Sequence, residues 1–238
     1  MKKIRVIIID DERTARNEIK RLLDHYSDFE ITGEAKNAAE ARLLIESKRP
    51  DLLFLDIQMP GESGFDLLES LDEVPDVIFT TAFDEFAVKA FEISALDYLV
   101  KPIREERFAK AMERAIKTQE GKKISTTTPE DRRIFIRDGQ QCYFVQLTGV
   151  YLIESVDNYA RLHFNGGKAL IKSSLNQLEE KLDKNLFFRI NRYQVINTAF
   201  IQNIDTVTKG RLKISLQTGE LLDVSDRQSA KFKNRGRL

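Results

Sequence analysis

Four short apolar runs, each broken by polar residues at its end, constrain this chain most strongly. They are Val6–Ile9, Leu52–Leu55, Val77–Phe79 and Tyr98–Val100, followed in turn by Asp10-Asp11, Asp56, Thr80-Thr81 and Lys101-Pro102. The runs are near-continuous rather than alternating, as in strands buried on both faces of a parallel sheet. A more polar stretch, Glu30–Ala35, supplies a fifth strand near an edge. Between the runs the apolar period becomes helical. Ile19, Leu22, Leu23 and Tyr26 fall at i, i+3, i+4 and i+7, and Ala41, Leu44 and Ile45 repeat part of that pattern. Phe108, Met112 and Ala115 line a last helix that ends near Gln119. Asn37 followed by Glu40 reads as a capping box opening the second helix. Strand and helix repeated five times predict a doubly wound, five-stranded parallel α/β domain over residues 1–120.

Ligands in such a sheet bind beyond the carboxyl ends of the strands. Those ends carry Asp10, Asp11, Asp56, Thr81 and Lys101. Three converging carboxylates repel one another unless a cation sits among them, and an all-oxygen set suits Mg²⁺. An acidic cluster with a metal and a lysine is a site for a phosphoryl group. Asp56 can attack phosphorus while Mg²⁺ and Lys101 neutralise the equatorial oxygens. Taken singly, each residue has a plainer reading: strand-end Asp residues form turns, Lys101 is a solvated charge and Thr81 a satisfied hydroxyl. Their joint placement at one edge favours the site.

The motifs here resemble the receiver domain of two-component response regulators. They are Ile-Ile-Asp-Asp-Glu at 8–12, Leu-Asp-Ile-Gln-Met-Pro-Gly at 55–61, Thr-Ala at 81–82 and Tyr-Leu-Val-Lys-Pro at 98–102. The resemblance implies that Asp56 is the phosphoacceptor and that Asp11 and Asp56 ligate Mg²⁺. Asp10 would act largely through water, and the Gln58 backbone carbonyl would complete the shell. It also implies a switch pair, Thr81 and Tyr98, and a phosphate-binding Lys101 followed by a cis proline. Thr81 would move to the phosphoryl group and an inward Tyr98 ring would fill the vacated space. A pairing face around Ala87–Phe91 and the last helix, with Phe86 and Phe91 exposed, would then form a homodimer. Phosphatases that use an aspartyl phosphate carry a second carboxylate two residues on. Here that position is Gln58, which cannot transfer protons in that role, so a switch is expected rather than an enzyme.

The remainder of the chain differs in charge and in period. The zero formal net charge is a cancellation: residues 1–120 hold 18 basic and 26 acidic side chains, residues 121–238 hold 20 and 12. A basic half suits a polyanion. Residues 121–131 read as a polar linker. Beyond it, Ile134/Ile136, Tyr143/Val145, Val150/Leu152, Leu162/Phe164, Val207 and Leu212/Ile214/Leu216 mark short strands. Asp138-Gly139, Asn165-Gly166-Gly167 and Thr218-Gly219 supply hairpin turns. Two short helices are predicted, Ser174–Leu182 and about Asp226–Asn234. More than forty residues separate them, which excludes a helix-turn-helix. DNA binding would therefore come from strands and loops, with Lys and Arg on phosphates and a few side chains at base edges.

Phe187-Phe188-Arg189-Ile190-Asn191-Arg192-Tyr193-Gln194-Val195-Ile196-Asn197 resembles the central motif of the LytTR DNA-binding domain, Phe-x-Arg-x-His-Arg-Ser-x-x-Val-Asn. Ile153-Glu154-Ser155 with Asn158-Tyr159, Ser174-Leu175-x-x-Leu178-Glu179 and Val224-Ser225 support it. The resemblance implies a mostly β domain, here 132–238, that reads successive major grooves of direct-repeat promoter DNA from loops. Carried over by position, the DNA-contact candidates are Asn158, Tyr159, Asn191, Arg192 and Arg227. Arg192 and Arg227 lead, because a guanidinium pairs bidentately with guanine. Asn191 replaces the usual His, and Asp226 stands where a basic residue is common. The tail Lys231, Lys233, Arg235 and Arg237 suits general phosphate attraction.

The single Cys142 excludes an internal disulfide, and with only His25 and His163 a zinc site is not expected. No apolar run approaches the ~20 residues of a membrane span. The N-terminal apolar run ends after four residues, too short for a signal-peptide core. The sequence thus predicts a cytoplasmic, Mg²⁺-dependent phosphoryl-accepting switch, with a sensor histidine kinase as donor and promoter DNA as target. A protein-interaction or membrane-surface output for the basic domain is the alternative.

Overall fold

The computed structural model describes residues 3–82, 95–124, 132–139, 141–207 and 210–235. Two compact units emerge, Met1–Phe144 and Val145–Leu238. In the first, β1 (Ile4–Ile9), β2 (Phe29–Ala35), β3 (Leu52–Asp56), β4 (Asp76–Thr81) and β5 (Asp97–Val100) form a parallel sheet in the order β2-β1-β3-β4-β5. The helices are α1 (Arg13–Leu23), α2 (Ala38–Lys48), α3 (Gly64–Glu69) and α4 (Glu105–Ile124). Alternate residues of each strand feed opposite cores, which is why the runs are apolar throughout. Val6, Ile8, Leu52, Phe54, Ile78 and Leu99 meet Ile19 and Leu22 of α1 and Phe108 and Met112 of α4. Ile7, Ile9, Leu53, Leu55, Val77 and Phe79 meet Ala41 and Ile45 of α2 and Leu67 and Leu68 of α3. The expected edge strand is β2.

Local differences from the sequence reading have physical causes. Asn37 caps α2 by accepting from Glu40 N, but Glu40 Oε2 accepts from Lys36 N, one residue outside a capping box. The last helix of the first unit runs to Ile124, past Gln119 and into the expected linker, since Gly121 alone does not stop a helix. Residues 125–131 of that linker, the face Ala87–Phe91 with Phe86, and Arg237 lie outside the described residues.

The compact division at Phe144/Val145 lies well beyond the 121–131 boundary read from the sequence. Strands β6 (Arg133–Asp138) and β7 (Gln141–Gln146) form a two-stranded hairpin. Phe135 and Cys142 of this hairpin are buried in the same cluster as Leu53, Leu67 and Phe79. Polar punctuation does not report which core the next apolar residues enter.

The second unit begins with a five-stranded antiparallel sheet of order β10-β9-β8-β12-β11. Its strands are β8 (Val150–Val156), β9 (Tyr159–Phe164), β10 (Gly167–Ile171), β11 (Phe187–Arg189) and β12 (Gln194–Asn197). A three-stranded sheet, β13 (Ile201–Thr206), β14 (Leu212–Leu216) and β15 (Leu221–Asp223), shares its core, joining Leu152, Ile190 and Ile196 to Leu212, Ile214 and Leu222. Helix α5 (Leu175–Lys181) opens with a full capping box between Ser174 and Gln177, and α6 (Asp226–Arg235) closes the chain. Gly166 and Gly219 take φ of 108° and 100° in the hairpin turns, where a side chain would be strained. Val207 falls one residue past β13 rather than within a strand. The strand expected after the Gly166-Gly167 turn is β10, whereas β11, β12 and β15 carry too few alternating apolar positions to be read from the sequence. Among the described residues, no helix is long and apolar enough to cross a membrane.

Candidate functional site

At the carboxyl edge of the parallel sheet, β1 and β3 deliver Asp10 and Asp56, which are 0% and 5% exposed. Burying two carboxylates is costly unless they are paired. Lys101, just past β5, supplies the pairing: its Nζ lies 2.6 Å from Asp56 Oδ2 and 2.8 Å from Asp10 Oδ2. Burial pushes the Asp10 carboxyl up, with the Lys101 charge acting against that shift. Burial works to lower the Lys101 ammonium, but its pairs with Asp10 and Asp56 outweigh burial and hold it raised.

Backbone donors orient both carboxylates. Glu12 N–H donates to Asp10 Oδ1 and Gln58 N–H to Asp56 Oδ1, each at 3.0 Å. Arg16, which the sequence reading passed over, donates to the Asp10 carbonyl at 2.7 Å and to the Asp11 carbonyl at 3.3 Å. Gly64, also passed over, lets α3 start against the site. A Cβ there would lie 2.4 Å from the Asp56 carbonyl oxygen, while Gly64 N–H donates to Ile57 O at 2.9 Å. The second glycine four residues after Pro60 is the signal that could have found it.

Exposed Asp11 completes the acidic set: ligand oxygens of Asp10, Asp11 and Asp56 lie within 4.8 Å of one another. Asp10 Oδ2 pairs electrostatically with Lys101 yet lacks an aligned hydrogen bond. Three hard anionic carboxylates so placed fit a small divalent cation such as Mg²⁺. Thr81 is buried at the end of β4, and its carbonyl accepts from Lys101 N–H at 2.7 Å. Lys101-Pro102 is a cis peptide. Tyr98 stands opposite Phe79 in the β4–β5 register and is 7% exposed, so its ring already lies inward.

The second unit gathers the DNA-contact candidates around the loop from Ile190 to Gln194. Arg189 builds that loop: its guanidinium donates to the carbonyls of Asn191 (3.1 Å) and Arg192 (2.8 Å) and pairs with Glu179. Asn191 braces it further. Its Nδ2 donates to Gln194 Oε1 and the Asp223 carbonyl, and its Oδ1 accepts from Tyr193 N–H. The amide is thus occupied in holding the loop. Arg192 is exposed, with Cζ 4.5 Å from the centroid of Tyr193, itself 53% exposed.

Two further segments meet this loop. Ser155 N–H donates to Tyr193 O at 2.8 Å, tying it to β8 near the tip that carries exposed Asn158 and Tyr159. Ser225 N–H donates to Ile190 O at 3.0 Å, tying it to the start of α6, where Arg227 is exposed. Asp226 pairs with Arg211 at 2.9 Å, so the acid at this position is locally compensated. Tyr193 was missed as a candidate. It stands where the usual motif has Ser, and that departure was its signal.

Two family models match successive stretches of the chain. A model of the response regulator receiver domain matches residues 6–113, and one of the LytTr DNA-binding domain matches residues 140–237. The sensory transduction protein LytT of Enterococcus faecalis is 32% identical over 237 residues, covering 97% of this chain and 98% of that protein. The transcriptional regulatory protein BtsR of Escherichia coli is 35% identical over 232 residues, covering 94% and 95%. Among solved structures, the response regulatory domain of mrkE from Klebsiella pneumoniae is similar at a TM-score of 0.45 and 32% identity, over 49% of this chain and 98% of that one.

Proposed function

Because the chain belongs to the response regulators that join a receiver domain to a LytTR DNA-binding domain, we propose that it is a cytoplasmic transcription factor switched by phosphorylation of Asp56. The observation that carries this reading is Lys101 bridging two buried carboxylates at the sheet's carboxyl edge. A sensor histidine kinase supplies the phosphoryl group. An Asp56 carboxylate oxygen bonds to phosphorus as the P–N bond of the phosphohistidine breaks, and the imidazole departs. Asp11, Asp56 and the Gln58 carbonyl would hold Mg²⁺, with Asp10 acting through water, and the ion would supply charge neutralisation to the transferring group.

The chain's own groups do the rest. Lys101 turns from the carboxylates to a phosphoryl oxygen, since both are anionic and the phosphoryl group adds about −1.5 to −2 charges. Thr81 donates its hydroxyl to the same group, and the inward Tyr98 ring fills the space it leaves. Gln58, in place of a second acid, leaves the acyl phosphate without a proton-transfer partner at that position, so the protein acts as a switch. The activated chain binds direct-repeat promoter DNA as a homodimer. Arg192 and Arg227 reach base edges, while Asn158 and Tyr159 approach from the β8–β9 tip. Asn191 acts on DNA through the loop it braces.

Asp56→Asn is the test. It is expected to abolish phosphoryl uptake from acetyl phosphate and activation of a promoter reporter. Retention of both overturns the reading.

A further inference from the structure

We propose that the β6–β7 hairpin reads the state of Asp56: phosphorylation tightens its docking on the α3–β4 face. This rests on the reading of Asp56 as phosphoacceptor. The face is an interaction surface, and its occupant is this chain's own segment from Arg133 to Phe144.

The docking combines three kinds of contact. Val74 N–H donates to the Arg133 carbonyl at 2.8 Å. Arg133 pairs with buried Asp76 at 2.9 Å, and Arg137 pairs with Asp66 and Glu69 of α3 at 2.7 and 2.8 Å. Between these, four phenylalanine rings pack in contact, Phe65 stacked on Phe135 and the others edge-on or tilted. Phe65 lies 5.9 Å from Phe135, Phe135 5.1 Å from Phe144, and Phe144 6.5 Å from Phe79, ring centre to ring centre.

The same face carries the switch. Residues 77, 79 and 81 point to one side of β4, so Thr81 shares a face with Phe79. Phe79 is paired in register with Tyr98, and Tyr98, Phe79, Phe135 and Cys142 belong to one buried cluster. An inward Tyr98 ring therefore adds to the surface on which the hairpin packs. Whatever holds that ring inward strengthens the docking, and docking in turn favours the inward ring, because such coupling is reciprocal. The consequence reaches the DNA-binding domain along the chain. The LytTR match begins at residue 140, so β7 belongs to that domain by sequence while Cys142 is buried in the first unit. A single 3₁₀ turn, Leu147–Gly149, then leads into β8.

Cys142 reports the docking directly. It is the chain's sole cysteine, lies on β7 and is 4% exposed, so a maleimide reaches it only when the hairpin lifts. The experiment measures N-ethylmaleimide labelling of the reduced full-length protein with and without acetyl phosphate and Mg²⁺, with phosphorylation followed in parallel on phosphate-affinity gels. Labelling of the phosphorylated chain is expected to be at least about 5-fold slower. A shallow urea dependence of the unphosphorylated rate identifies lifting of the hairpin rather than global unfolding. Asp56→Asn should show no slowing. Tyr98→Ala should accept the phosphoryl group yet lose the slowing. Full phosphorylation with an unchanged or faster labelling rate overturns this proposal alone. Failure of Asp56 to take up phosphate overturns the reading beneath it, and the proposal falls with it.

Discussion

The two functional edges of this protein are built by opposite strategies. At the acidic edge the working side chains sit at the ends of core strands, and buried Asp10 and Asp56 are paired with half-buried Lys101. Their positions follow from the sheet, so the charges are held in place before any phosphoryl group arrives. At the other edge Arg192, Tyr193, Asn158 and Arg227 are exposed on loops and a helix start. Their positions follow from a set of hydrogen bonds, above all those of Arg189 and Asn191. A buried charged site is costly to disturb and affects folding when altered. An exposed one affects binding and leaves folding nearly unchanged. The contrast suits a small fixed group on one side and a large polyanion on the other.

The largest expected effect tests that contrast at Lys101. Lys101→Met leaves two buried carboxylates without their cation, and breaking such an arrangement costs about 3–5 kcal/mol. Urea unfolding of the first unit should show that loss in metal-free buffer, and millimolar Mg²⁺ should recover part of it. A loss below about 1 kcal/mol would mean that the edge is solvated like a surface pair, and the contrast would collapse.

The same difference decided what could be read from the sequence. Strand ends in a parallel sheet converge by topology, so Asp10, Asp11, Asp56, Thr81 and Lys101 could be assembled from four apolar runs before any coordinates. Arg16 escaped because it acts on backbone carbonyls, which no residue pattern announces, whereas Gly64 left only the spacing of a second glycine after Pro60. In the second unit the turns were legible from Gly166 and Gly219, but β11 and β12 were not, being three and four residues long. The hairpin was legible as a hairpin, though not as part of the first core. Alternation picked out Ile134 and Ile136, so neither the burial of Phe135 nor the core it enters could be read.

Smaller effects are expected at the exposed edge. Arg192→Ala should weaken specific DNA binding by about 1–3 kcal/mol and relax sequence preference at one position, if its guanidinium pairs with guanine. The urea midpoint should stay put, because the exposed Arg192 guanidinium rests on the likewise exposed Tyr193 ring. Tyr193→Ala should cost about 0.5–1 kcal/mol of the same binding through the lost cation–π contact. Gel shifts on matched and mismatched repeats separate the cases. A uniform loss across all sequences, with a shallower salt dependence, would reassign Arg192 to a phosphate.

The hairpin's outer ion pairs form the middle case, and there pH resolves what mutation alone does not. The Ser63 hydroxyl, then the Ser63 N–H and Arg137, hold the Asp66 carboxyl below its ordinary value despite partial burial. Its contribution to stability is therefore complete above the ordinary carboxylate range and is lost as pH falls through the depressed folded value. Glu69 behaves oppositely. Burial raises its carboxyl, with Arg137 working against the shift, so it favours the folded state most when protonated and loses that contribution as pH rises through the raised value. The two acids beside Arg137 thus offset each other near neutrality. Arg137→Gln should cost less than about 1 kcal/mol in the first unit's urea midpoint, and salt should diminish that cost. The cost should shrink further on acidification, because protonating Asp66 removes the partner that Arg137 supports. An Arg137→Gln penalty that stays constant from neutral pH down through the carboxylate range would show that the guanidinium acts by packing rather than by charge.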